Sequence, residues 1–539
     1  MPSVGIDDGF FELGGDSILS LQLVSRARRE GLVLSPQDVF AHRTVRKLAV
    51  AAGDGGEVEE EAGSGIGEFP ATPIMHWLRE HTEHFAGFNQ SMVLRVPADL
   101  GADRLTTAVQ ALVDTHDALR LRLNPGWRPE VLPRGEVRAA DLVRRVDVEG
   151  LDDTALAEVV AEHGDAARDR LAPENGAVAR FVWFDAGPRA AGRLLVVVHH
   201  LAVDGVSWRV LLPDLAIAWH TAGEGLEPVR TSLRRWAQRL AEEAVRPERV
   251  RELELWKGVL GEPGARPRPG TEAGELEITI PVEDTRALLT TVPARFHAGV
   301  DDVLLVALAV AVLHVRGEDG DRRSDVVVDV ESHGREPVVD GDLSRTVGWF
   351  TNLHPVRLDP GAVDTGELLA ATAALGQVVK QLKEQLREIP DNGIGYGLLR
   401  HLNPGTGAEL AAYQVPEIGF NYLGRFQGGG DQHDFATTDD LPVPSGRDPR
   451  MPLPHAVEVN AVTEDTAEGP RLSATWSWAA SLVERGHVER LSRTWAEALR
   501  ALVVHVEDPD AGGHTPSDLS LDTLSQDEID ELEAELGLE

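Results

Sequence analysis

The stretch VVVHHLAVDGVSW, residues 196–208, places two histidines at the end of a valine run. Apolar strands in α/β folds often deliver side chains to a site at their ends, so His199 and His200 are candidates for acid–base work. Gly205 permits a tight turn that brings Asp204 back towards them, and a carboxylate beside an imidazole holds its tautomer and tunes its pKa. The plainer alternative is a satisfied pair of core histidines. A metal site needs a third ligand and helical i,i+4 spacing. The valine run and Gly205 argue against a helix here, so no metal ligand is assigned. A second apolar run, DVVVDVESHGRE (325–336), ends in Glu331, with Arg335 four residues on. This reads either as a functional carboxylate or as a surface carboxylate paired with arginine. GFNYLGRF (419–426) contributes Asn421 and Tyr422, one of three tyrosines in the chain, to a site wall or to aromatic core packing. Near the N-terminus, DDGFFELGGDSILSLQLVSRARREG (7–31) sets Ser17 behind a Gly-Gly-Asp turn at the start of an amphipathic helix. Free N–H groups and the macrodipole favour an anion such as phosphate there, and the alternative is a capped helix with an incidental serine.

The elements that must position these residues are mixed. Residues 1–52 form a small helical unit whose few large apolar side chains make a marginal core. Residues 53–68, Gly- and Glu-rich, read as a flexible acidic linker. Beyond it, a helix over 103–115 precedes an alternating strand, ALRLRL. GRLLVVVHH and SDVVVDVESHGRE read as buried strands, and 301–315 is a helix apolar on all sides. Residues 488–502 give an amphipathic helix, and a capping box at Ser525 and Glu528 opens an acidic helix at the C-terminus. Two buried strands ending in ionisable groups hint at two similar lobes. The formal charge of −37, from 89 acidic and 52 basic residues, repels nucleic acid and anionic membranes, so neither is expected as a partner. The absence of cysteine removes disulfides, thiolate metal sites and thiol nucleophiles. No apolar run reaches membrane-spanning length and no signal-peptide pattern is present, so the expected location is cytoplasmic.

Taken together, the motifs resemble a known family. HHLAVDGVSW resembles the HHxxxDG motif of the condensation-domain superfamily of nonribosomal peptide synthetases, and FELGGDSI resembles the peptidyl-carrier motif. PATPIMHWL, FNQSMVL, ESHGRE, SRTVGWFTNLHPV, GIGYG and FNYLGRF follow the order of the epimerization branch. The resemblance implies a mixed α/β fold: a carrier unit (1–52, its first helix missing), then two chloramphenicol-acetyltransferase-like lobes (69–245 and 246–539) in a V-shaped pseudo-dimer with a tunnel between them. It implies 4′-phosphopantetheine carried covalently on Ser17, and His200 with Glu331 as the acid/base pair. It makes Asp204 and Arg335 structural partners, with Asn421 and Tyr422 lining the site and Tyr422 a candidate proton donor. His199 and Gly205 complete the first motif. Three positions depart from the family pattern: Ser332 for a glycine, Met75 for a glutamine and Leu78 for an aromatic residue.

The implied reaction is epimerization of an L-aminoacyl or L-peptidyl thioester by removal and return of the Cα proton. It needs a positioned base and donors aimed at the enolate oxygen. The implied partners are the carrier-bound substrate, an adenylation domain upstream, a condensation domain downstream and a phosphopantetheinyl transferase. Rival readings are a condensation domain forming a peptide bond, a non-catalytic recruiting domain of the same fold, and a docking scaffold built on the acidic surface and C-terminal helix.

Overall fold

The computed structural model of the chain describes the continuous runs 4–10, 42–52, 63–264, 269–336, 341–427, 434–438 and 440–518, with isolated residues between and beyond them. Ser17 with its neighbours Asp16 and Ile18, linker residues 53–62 and most of the expected C-terminal acidic helix lie outside the described residues. Within the N-terminal unit, Val24, Leu34, Val39 and Leu48 form a small buried cluster. Thr44 caps helix Val45–Ala51 by accepting from the Lys47 N–H.

The main body carries thirteen strands among the described residues. They are β1 (Gly67–Glu68), β2 (Asn89–Val96), β3 (Leu121–Asn124), β4 (Arg128–Val131), β5 (Val143–Asp147), β6 (Ala179–Asp185) and β7 (Gly192–His199), followed by β8 (Ala273–Ile280), β9 (Val326–Ser332), β10 (Asn352–Leu358), β11 (Ile418–Gln427), β12 (Val457–Thr466) and β13 (Gly469–Ala479). A four-stranded sheet runs β2-β7-β6-β5, a six-stranded sheet runs β10-β9-β11-β12-β13-β8, and a small sheet runs β1-β4-β3. Gly67 and Glu68, the last two residues of the segment expected as linker, are therefore β1, paired with Val131 and Glu130.

Helices α1 (Pro73–His81), α2 (Ala102–Thr115), α3 (Asp153–Arg168) and α4 (Gly205–His220) accompany the first sheet. Helices α5 (Val300–Glu318), α6 (Ala373–Arg387) and α7 (Arg485–His505) accompany the six-stranded sheet. The apolar run at 301–315 forms α5, buried almost all round, as its uniform hydrophobicity requires. The run ALRLRL departs from expectation, because residues 117–120 form a 3₁₀ turn and only Leu121–Asn124 is strand. The cause is Arg120, whose buried guanidinium donates to the carbonyls of Val113, Asp114 and Leu132 and so caps the end of α2. Met75 and Leu78, two departures from the family pattern, are fully buried in the first core.

The two halves of the chain share that core. Leu343, Val347, Trp349 and Phe350, all after β9, pack into the cluster beneath the four-stranded sheet. Phe435, after β11, does the same, and backbone bonds tie the residues after it to β2: Phe435 N–H donates to the Arg95 carbonyl, Thr438 N–H to Val93, and Asn89 N–H to Gly446.

Candidate active site

Valine and leucine carry β7 through the first core and release His199 and His200 at its end. The two histidines do different things. His199 Nε2 donates to the Phe85 carbonyl at 2.8 Å and Nδ1 accepts from Leu201 N–H at 3.1 Å. It is buried, and burial pushes it down to about 3, so it is a neutral residue that shapes the turn. His200 lies between the rings of Phe88 and Trp349, each centroid 4.6 Å away. Its tautomer follows from its neighbours. Trp208 Nε1 donates to Gln90 Oε1 at 2.7 Å, which fixes the Gln90 amide, and Gln90 Nε2 then donates to His200 Nε2 at 3.0 Å. Nε2 is the lone-pair nitrogen, and the Nδ1 side faces the backbone carbonyls of His200 and Val203 without reaching a full hydrogen bond. Burial pushes His200 down to about 4.

The expected Asp204–histidine contact is replaced by another. Asp204 caps α4, accepting from Ser207 N–H at 2.8 Å and Ser207 O–H at 2.7 Å. It also receives Arg335 Nη1 at 2.6 Å, Nη2 at 3.1 Å and Phe350 N–H at 3.1 Å. Gln90, which the sequence reading did not single out, holds the tautomer of His200 instead. Burial alone would raise the Asp204 carboxyl. The charge and hydrogen bonds of Arg335, with those of Ser207, hold it below the ordinary range. Gly205 is not a left-handed turn residue: it starts α4, and a Cβ there meets nothing within 4 Å. A positive-φ glycine is needed instead in the segment after β9: Gly334, at φ +65°, where a Cβ would overlap the Phe350 carbonyl oxygen.

Arg335 thus ties the segment after β9 to the segment after β7, with Glu331 and His200 each four residues before one partner of the clamp. Leu353 on β10 pairs with Glu331 in register, and Trp349, which touches His200, lies four residues earlier. Glu331 is open to water near the end of β9, two residues beyond the buried Asp329. Asn421 Nδ2 donates to its Oε2 at 3.1 Å. Burial first, then the charges of Glu458 and Asp329, push the Glu331 carboxyl up to about 7, with His455 acting in the opposite sense. Ser332 accepts a 3.3 Å hydrogen bond from Asn352 Nδ2.

Tyr422 does not join this group. Side chains alternate along a strand, so Tyr422 faces away from Asn421. Its ring packs with Phe420 and Ile418 against the second core, and its hydroxyl meets Thr463 Oγ1 at 3.1 Å. A cavity of about 1060 Å³ between the halves is walled in part by Trp77, Asn352, Leu353, Tyr396, Asp329 and His455. His200 and Glu331 do not belong to its wall.

This fold and site have known relatives. The Condensation domain family matches residues 67–524, and the phosphopantetheine attachment site matches residues 1–51. The chain belongs to the condensation-domain family, here preceded by a phosphopantetheine carrier region, as in nonribosomal peptide synthetases. It is 37% identical to one of the linear gramicidin synthase subunits of Brevibacillus parabrevis, over 98% of this chain and 10% of that protein. It is 31% identical to surfactin synthase subunit 1 of Bacillus subtilis (strain 168), over 99% of this chain and 15% of that protein. The chain therefore spans a small part of these relatives' length. Among solved structures it is similar to the epimerization domain from the third module of tyrocidine synthetase B, at TM-score 0.70 and 27% identity, over 84% of this chain and 99% of that one. It is also similar to the condensation domain of the Monacolin K polyketide synthase MokA, at TM-score 0.60 and 16% identity, over 83% and 98%, a likeness of fold alone. The mixed α/β, two-lobed architecture expected from the motifs is thus the fold of the chain. Among the described residues no single helix is long and apolar enough to cross a membrane.

Proposed function

We propose that this chain epimerizes an L-aminoacyl or L-peptidyl thioester at Cα, with Glu331 and His200 exchanging the proton. Residues 1–52 then form the carrier unit and 53–68 its tether, while 69–245 and 246–539 supply the two sides of the site. The reading is carried by the Asp204–Arg335 clamp, which binds the segment ending in one acid/base group to the segment ending in another. Peptide-bond formation needs one base at the attacking amine, whereas inversion at carbon needs a proton removed from one face and returned to the other.

Ser17 would hold the phosphopantetheine arm, which would supply a thioester and so a Cα proton more acidic than that of an amide or carboxylate. The residues of the chain do the rest. Burial keeps His200 neutral and leaves Nε2 as its basic nitrogen, which favours a base over an electrophile; Gln90 holds that lone pair at rest and must yield it when His200 takes the Cα proton. Glu331, poised near neutrality, is the matching acid. In one direction His200 takes the Cα proton and the Glu331 carboxyl returns its own to the other face. This leaves imidazolium and carboxylate, the pair that runs the reverse step. The active pair carries one proton, shared as a unit. Asn421 orients the carboxyl, and Phe88 and Trp349 hold the imidazole plane.

The test supplies a carrier domain bearing an L-aminoacyl thioester to the full chain in D₂O, then hydrolyses the thioester and reads chirality and Cα deuterium. D-product with deuterium, lost in Glu331→Gln and in His200→Ala, supports the reading. Unchanged L-residue without deuterium across several aminoacyl groups overturns it in favour of peptide-bond formation or a recruiting role.

A further inference from the structure

One buried cluster stands beside Glu331 without a part in the scheme above. Asp329 on β9, Gly419 on β11 and Glu458 on β12 are in register across three adjacent strands. His455, just before β12, lies over Gly419, where a Cβ would run into its ring. Its Nε2 meets Asp329 Oδ2 at 2.9 Å and its Nδ1 meets Glu458 Oε1 at 3.3 Å. An imidazole with a carboxylate on each nitrogen donates from both, so it carries both protons and a positive charge. Two residues along the same strands, and so on the same face, lie Glu331 and Asn421.

We propose that His455, fixed between Asp329 and Glu458, is a positioning residue that sets the electrostatic field at Glu331 and thereby the proton affinity of that carboxyl. The proposal rests on the reading of Glu331 as one member of the proton-transfer pair. Three charged groups face Glu331: Asp329 from its own strand, Glu458 from β12, and His455. β10 presents Leu353 and β11 presents Asn421, neither of them charged. On the cavity side, Tyr396 stands near Asp329, with the Glu80–Arg400 ion pair close to Tyr396. Burial alone would push His455 down. Its hydrogen bonds to Asp329 and Glu458 and their charges carry it up to about 10, so its charge persists through the range in which Glu331 titrates. The trio thus presents two negative charges offset by one positive charge. Gly419 is what lets the imidazole cross the middle strand to reach both carboxylates.

Two variants change this field in opposite senses. His455→Gln removes the cation and keeps a donor, so Glu331 holds its proton to higher pH. Glu458→Gln removes an anion and keeps an acceptor, so Glu331 releases its proton at lower pH. The alkaline limb of kcat/KM for Cα deuterium exchange is expected to move up by about one pH unit in the first and down by about one unit in the second. A turnover-free readout accompanies it: infrared difference spectra of the carboxyl band, each protein against its Glu331→Gln counterpart, followed with pH. Limbs and infrared titrations that stay at the wild-type position in both variants, whatever the overall rate, refute the proposal and leave the cluster a structural brace. Infrared titrations that shift in opposite directions while wild type exchanges no deuterium sustain the field effect and overturn the epimerization reading instead.

Discussion

Replacing Arg335 by methionine is the most direct test of the clamp. The guanidinium is buried, and methionine nearly matches its length while deleting five donors. Asp204 would lose the bonds at 2.6 and 3.1 Å but keep those from Ser207 N–H, Ser207 O–H and Phe350 N–H. Breaking a buried pair from one side costs about 3–5 kcal/mol, because a charge is left without its counterion. The three surviving donors place the loss near the lower end, about 3 kcal/mol. Asp204→Asn in the same background keeps an acceptor for the cap of α4 and removes the stranded charge, so the double variant should recover about 2 kcal/mol relative to additivity. The assay is urea unfolding followed by tryptophan fluorescence, reading the transition that reports Trp208 and Trp349. The pH dependence has a definite sign. The folded carboxyl lies below its ordinary value, so the clamp's contribution is complete above the unfolded pKa of about 3.9 and is lost as pH falls through the folded one. In Arg335→Met that acid-labile increment should shrink. A single-variant loss under about 1 kcal/mol, the size of an exposed ion pair, would refute the reasoning, and so would strict additivity in the cycle.

Three further outcomes follow from the site. The alkaline limb of kcat/KM for Cα exchange in the wild-type chain should fall near pH 7, where Glu331 loses the proton of the active pair, and should vanish with activity in Glu331→Gln. Gln90→Met removes the donor that fixes the His200 tautomer and strands the buried Trp208 N–H, so exchange should fall by about tenfold or more and the unfolding free energy by about 1–3 kcal/mol, measured side by side. Tyr422→Phe should cost about 0.5–1.5 kcal/mol in the second core and leave exchange within about threefold of wild type.

The strands that carry the site are legible in the sequence because their signal is local: a run of valines ends, and an ionisable residue follows. His200 and Glu331 therefore stand out from the sequence alone. The direct bond between Asp204 and Arg335 does not, since they are 131 residues apart and only the family resemblance pairs them. Gln90 and His455 escape altogether, because the role of each comes from register between strands that no single stretch of sequence encodes. Tyr422 is the instructive case. Neighbouring residues on one strand point to opposite faces, so Asn421 and Tyr422 could not both line the same wall, and alternation alone was enough to separate them.

The segment after β11 that returns to lie along β2 has a consequence for heredity and engineering. A gene cut at the sequence boundary between the lobes would yield a first half whose β2 edge is bare and whose core lacks Trp349, Phe350 and Phe435. Bare edges and open apolar cores are what chains aggregate through. The two halves are therefore expected to fold as one unit, and an exchange of one without the other is expected to need the returning segment as well. Grafts between synthetases are expected to tolerate junctions outside residues 69–539 better than a cut near residue 245.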